Sequence, residues 1–252
     1  MAFEDIAGAK RAVEPPPSAD TNPENCAFVA DAGLSEDAAL ALLRRADLPA
    51  DVLEKLAKNG TVLKHRKVKL ALVEHPKTPR HVSLPFIRQL YTFDLMQVAL
   101  TPSVPADVKL AADEALCNRM ETISSGEKLT LAHRASGPVA GELLLDRDPR
   151  VMQAALQNAR LTEALIVRAL TRTEATPAFV EAVAHHAQWS LRREVRVALL
   201  RNEKTPMARA VAFARGLPVG QLQEILENSR LPGNVKSFLL ADLEKRAGKR
   251  SG

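Results

Sequence analysis

The chain has 252 residues, 46% hydrophobic and 26% charged, which is enough apolar material for a buried core and too much for a disordered chain. Only nine residues are aromatic (seven Phe, one Tyr, one Trp), against a β-sandwich or barrel, whose strands favour aromatic and β-branched side chains. The net charge of +5 is unevenly spread: residues 1–25 hold two basic and five acidic side chains, so the rest of the chain carries about +8.

The N-terminal sequence has no basic segment followed by an apolar one, and no stretch reaches about 18 uninterrupted apolar residues. Cys26 and Cys117 lie too far apart for a CxxC metal knuckle or a dense disulfide framework. A cytoplasmic location is therefore expected, with no transmembrane segment. Residues 1–24 read as a disordered acidic leader, because the run from Glu14 to Glu24 is rich in proline and polar side chains. Residues 25–246 are expected to form one folded domain, and residues 247–252 a basic disordered tail.

Helical punctuation begins at Ser35. A leading helix is predicted near 35–45 and a second from Pro49 to Lys58, a capping pair that would shield the apolar face of the first repeat. From Val68 an internal repeat takes over. Val68, Val108, Val151, Val195 and Val235 are separated by 40, 43, 44 and 40 residues. An Ala follows three positions later in four copies and Phe238 in the fifth, and Val and Ala at i and i+3 share one helical face. Seven residues beyond each valine stand His75, Ala115, Asn158, Asn202 and Asp242.

Helix restarts are marked by Thr78-Pro79, Thr162, Thr176-Pro177 and Thr205-Pro206, with threonine as N-cap and proline at N1, and by the capping box Ser124 to Glu127. These marks predict three short helices per repeat, for example 192–201, 206–216 and 218–228. The fold class expected is all-α, an α-solenoid of about five repeats of 40–44 residues.

A repeat of this length, with a Val-(Lys/Arg)-x-Ala helix and a Thr-Pro restart, resembles the HEAT-like and armadillo-like superfamily over about residues 35–246, and is similar to bacterial HEAT-like repeat proteins. The resemblance implies an extended helical binding surface; it supplies no activity. Leucine-rich-variant relatives carry a cysteine cluster for an iron-sulfur centre, and this chain has only Cys26 in that region. HEAT-like alkylpurine DNA glycosylases use tryptophans and an acid on a basic face; here Trp189 alone is available and no acid matches.

The position after each key valine holds Lys69, Lys109, Met152, Arg196 and Lys236, and Lys64, Arg66, Lys67, Arg150, Arg192 and Arg193 stand just before such valines. In a stack of repeats, a side chain recurring once per repeat becomes a stripe, so these residues are candidate contacts for an acidic partner or a phosphate backbone. The same position can equally be the solvent face of an amphipathic helix. Trp189, beside His185, His186, Arg192 and Arg193, is either a stacking or hot-spot residue or a plug in the joint between helices.

Glu181 and His185, at i and i+4, do not make a metal site without a third ligand, and His65, His75, His81 and His133 are dispersed. No nucleophile elbow, P-loop or dinucleotide-binding glycine pattern is present in the sequence. The expected function is a non-enzymatic scaffold that holds a partner protein and needs no cofactor. Sequence-nonspecific DNA or RNA binding is the alternative, and a glycosylase-like activity stands behind it.

Overall fold

A computed structural model describes residues 33–248. The expected leader, Cys26 and residues 249–252 of the expected tail lie outside the described residues. Among the described residues the regular structure is helical throughout, with no strand.

The helices are α1 (Glu36–Leu43), α2 (Ala50–Leu56), α3 (Arg66–Glu74), α4 (Arg80–Ile87) and α5 (Thr92–Leu100), then α6 (Ala106–Cys117), α7 (Ser125–Arg134), α8 (Gly137–Leu143), α9 (Pro149–Leu156) and α10 (Glu163–Thr171). After these come α11 (Pro177–His185), α12 (Arg193–Arg201), α13 (Met207–Arg215), α14 (Val219–Glu227) and α15 (Gly233–Gly248). Single 3-10 turns, Val62–Lys64 and Trp189–Leu191, precede α3 and α12. The three helices predicted over 192–228 are α12, α13 and α14, each within two residues of its expected ends.

The start signals divide into two kinds. Ser124 and Thr176 cap as expected, and Ser35 also caps: their hydroxyls accept from the backbone N–H groups of Glu127, Phe179 and Ala38, and Glu127 completes the capping box by accepting from Ser124 N–H. Thr78 and Thr205 do not cap. Both are buried, and their hydroxyls donate backwards, to the carbonyls of Leu72 and Leu199.

Those carbonyls belong to the last turns of α3 and α12, where few backbone donors remain: the Leu199 carbonyl also accepts Asn202 N–H at 3.1 Å, and the threonine hydroxyl fills its second acceptor site. A buried hydroxyl is better satisfied there than by turning outward, so Pro79 and Pro206 stand at the N-cap and the helix begins one residue later than the Thr-Pro signal implies. Thr162 occupies its N-cap position without a side-chain bond.

The repeat valines lie on every third helix, α3, α6, α9, α12 and α15, and all five are buried. The described residues cluster into two compact units. One comprises residues 33–94 and Thr101–Lys109, the other Leu95–Leu100 and 110–248. In the first, α1 packs on α3, and Ala39, Leu42, Leu53, Leu56, Val62, Val68 and Leu72 form its core. In the second, helices pack on the next but one: α7 on α9 on α11, α8 on α10 on α12 on α14, and α13 on α15. Phe179, Leu131, Leu143, Ile166 and Leu199 are among its fully buried side chains.

The joints between these helices repeat a bonding scheme. At position +7 from the valine, His75 Nε2–H donates to Arg45 O at 2.9 Å while Nδ1 accepts Lys77 N–H, which assigns the Nε2–H tautomer. Asn158 Nδ2 donates to Ala132 O at 2.8 Å and Ala135 O at 3.2 Å, and its Oδ1 accepts Arg160 N–H. Asn202 Nδ2 donates to Leu170 O at 2.8 Å and its Oδ1 accepts Lys204 N–H.

Two residues further on, the basic side chains of Lys77, Arg160 and Lys204 reach the same neighbouring turns, donating to the carbonyls of Asp47, Arg134 and Ala175. Each pin therefore closes its own turn and ties it to the end of an earlier helix.

Candidate functional site

The basic residues after the key valines are partly buried, and three of them bond within the chain. Lys69 donates to Gln89 Oε1 at 3.0 Å, Lys109 to Pro102 O at 3.3 Å, and Arg196 Nε to Ser190 O at 2.7 Å with its guanidinium over the Phe213 ring. Met152 is buried and Lys236 partly buried. Position +1 thus lies on the helix flank, where a long basic side chain can cover a neighbouring turn and bond its carbonyl.

The flanking cations are also engaged in part. Arg66 makes a two-pronged ion pair with the buried Asp94, at 2.6 and 2.7 Å, and lies 4.8 Å above the Tyr91 ring. Arg150 bonds Asp148, and that pair, the Arg150 backbone N–H and the Ser125 hydroxyl hold the Asp148 carboxyl well below the usual carboxylate range. Arg193 is paired with Glu194 at 3.2 Å. Arg192, Lys64 and Lys67 are exposed.

Trp189 is 5% exposed, and its indole N–H donates to Leu156 O at 2.9 Å. It fills the joint between the turn before α12 and the end of α9, and presents no face on which a base could stack. As the only tryptophan it reports that joint. Native emission should lie to the blue of the unfolded chain and resist acrylamide quenching; a red, readily quenched native spectrum would contradict this burial.

His186 beside it accepts from Gln188 and Trp189 N–H, and burial lowers its pKa. His185 Nδ1 donates to Glu181 O rather than facing the Glu181 carboxylate. Among the described residues, no three His, Cys, Asp or Glu side chains come together in a way that could hold a metal ion, and no helix is long and apolar enough to cross a membrane.

Sequence reasoning missed the clefts of the second unit. One, of about 470 Å³, runs from residues 110–118 across α8 to α10. Leu110, Pro138, Gly141, Leu165 and Ala169 give it an apolar floor, Glu114, Glu142, Arg168 and Arg172 a polar rim, and the buried Asp113 lies in its wall. Leu110 is 55% exposed at its edge. Arg172 and Glu142 are paired at 2.6 Å. The Cys117 thiol, also in the lining, is pushed up to about 11 by burial and by the carboxylates of Glu142, Asp113 and Glu114, so it stays protonated and a poor nucleophile at neutral pH.

Asp113 is buried and accepts the Ser136 hydroxyl at 2.6 Å; desolvation raises its pKa despite that bond. The folded chain therefore holds this proton more tightly than the unfolded one. Stability should fall as pH rises from the ordinary aspartate range through the raised native value. Asp113→Asn keeps the acceptor for Ser136 and should remove that part of the slope, raising the urea midpoint at pH 7. Parallel midpoint profiles for both proteins between about pH 4 and 7 would contradict it.

A second cleft, of about 290 Å³, lies between the ends of α10 and α12 and the segment after α14, lined by Arg172, Arg201, Glu203, Lys204 and Arg230 among others. A third shares Arg201 and adds Arg193, Glu194, Val197, Gln221, Glu224 and Ile225. All three follow the α8, α10, α12, α14 row. Against known proteins, no family model, no curated protein and no solved structure matches the chain.

Proposed function

We propose that this protein is a non-enzymatic binding scaffold, a HEAT-like α-solenoid of about five repeats, that holds a partner protein along one row of its short helices in the cytoplasm. The observation that supports this reading is the cleft spanning residues 110–118, α8 and α10. An apolar floor bordered by side chains of both signs is the composition of a protein interface, whose centre is depleted in charge and whose rim is polar. A phosphate backbone would meet Glu114 and Glu142 there. The engagement of Lys69, Lys109 and Arg196 in bonds within the chain likewise leaves fewer cations for phosphate than the sequence stripe suggests.

The test is capture from nuclease-treated lysate of the source cells on the immobilised full chain and on Leu110→Lys, a change at an exposed helix position. A protein retained by the native chain and lost from the variant is the expected result. Retention that disappears with nuclease would replace this reading with DNA or RNA binding. Retention unaffected by the variant would remove the cleft from it.

A further inference from the structure

We infer that the cleft between the ends of α10 and α12 takes an aspartate- and glutamate-rich segment of that partner protein, an assignment that rests on the scaffold reading above. Four cationic side chains, Arg172, Arg201, Lys204 and Arg230, line it with a single acid, Glu203. Two are already fixed: Arg172 by Glu142, and Lys204 by the Ala175 carbonyl. The other two, Arg201 and Arg230, are exposed and form no ion pair among the described residues.

The chain holds this second pair together. Arg230 N–H donates to Arg201 O at 3.1 Å, and the Ser229 hydroxyl donates to Leu200 O at 2.6 Å, so the segment after α14 is tied to the end of α12 at the point where the two guanidiniums emerge. The backbone beneath two planar forks is thus fixed before any ligand arrives, and guanidinium forks match carboxylates two bonds at a time.

Three features favour an acidic peptide over a nucleic acid. The lining contains no aromatic side chain, so bases have nothing to stack on. Glu203, with Glu194 and Glu224 in the adjoining cleft, would repel a continuous phosphate backbone but can be skirted by a peptide whose charges are discrete. That adjoining cleft, sharing Arg201, offers the half-buried Val197 to an apolar side chain next to the acidic run.

The experiment uses the full chain and two labelled probes, a ten-residue glutamate peptide and a ten-nucleotide single-stranded DNA, measured by fluorescence anisotropy at about 50 mM salt, where exposed charge contacts are strongest. Arg201→Glu/Arg230→Glu reverses the pair; Lys55→Glu/Lys67→Glu makes the same change in net charge at exposed positions elsewhere. The peptide should bind, losing about tenfold or more in affinity with the first variant and less than about threefold with the second.

Equal weakening by both variants, absence of peptide binding, or selective loss of DNA binding alone with the first variant would each overturn the assignment. A natural partner that is released by Leu110→Lys yet stays bound to Arg201→Glu/Arg230→Glu would overturn it while leaving the scaffold reading intact. A peptide bound through Arg201 and Arg230, with no partner depending on Leu110, would separate the two the other way.

Discussion

Asn158→Ala should lower the stability of the second unit by about 2–4 kcal/mol, because it strips three buried or half-buried groups of their partners at once. The carbonyls of Ala132 and Ala135 lose the Nδ2 donor, and the Arg160 N–H loses the Oδ1 acceptor. Asn158 is 4% exposed, so water cannot replace the amide without opening the joint. Asn202→Ala, at a partly exposed site with one such carbonyl, should cost less, about 1–2 kcal/mol.

His75 performs the same pair of bonds with a ring, so His75→Asn should be milder than His75→Ala. The check is the urea midpoint followed by Trp189 fluorescence, whose indole bonds Leu156, two residues from the altered pin. A midpoint shift equivalent to less than about 0.5 kcal/mol for Asn158→Ala would show that the joint holds without its amide.

The pins explain which parts of the molecule could be read from the sequence. Their positions were visible as a polar residue seven places after the first, third and fourth valines, and helix ends were visible because Thr, Pro and the Ser124 to Glu127 box punctuate a strongly periodic pattern. What the pattern does not carry is direction. Thr78 and Thr205 look like caps for the helix ahead, and they serve the helix behind, where their buried hydroxyls donate to carbonyls of its last turn.

Likewise, the residue after each valine recurs at the right interval for an exposed stripe. The interval does not show that Lys69 reaches Gln89 after the next helix, or that Lys109 and Arg196 fold back onto the turns before their own helices.

The candidate clefts were invisible for a related reason. Many of the contacts that build the fold join helices at spacings other than that of the repeat. Asn158 reaches Ala132, Trp189 reaches Leu156 and Lys204 reaches Ala175, separations of 26, 33 and 29 residues. Arg172, Arg201 and Arg230 stand 29 residues apart in the sequence, off the 40 to 44 period on which a repeat search depends. A charge cluster made by end-to-end proximity of α10, α12 and the segment after α14 therefore leaves no mark in the alignment of valines.

Gly137→Ala is expected to be the second severe change, lowering stability by about 2–3 kcal/mol, and its cause is steric alone. No described glycine has a positive φ, so backbone conformation does not require glycine at 137. A Cβ there would stand 2.6 Å from the Arg160 carbonyl oxygen and 3.2 Å from Leu165 Cδ1. The first contact is with backbone in a turn already tied down by Asn158 and by Arg160 Nη1 on Arg134 O, so neither side can yield cheaply.

One helical turn later, Gly141→Ala would bring its Cβ to 3.4–3.8 Å of the Leu165 side chain, an ordinary contact, and should change stability by less than about 1 kcal/mol. Gly126→Ala in α7 meets nothing within 4 Å and should stabilise by about 0.5–1 kcal/mol through helix propensity. Urea midpoints of the three variants should therefore fall, hold and rise in that order. A neutral Gly137→Ala would mean that the 157–162 turn can move away from α8, and then the apolar floor shared by Pro138, Gly141 and Leu165 could not be a fixed surface for a partner.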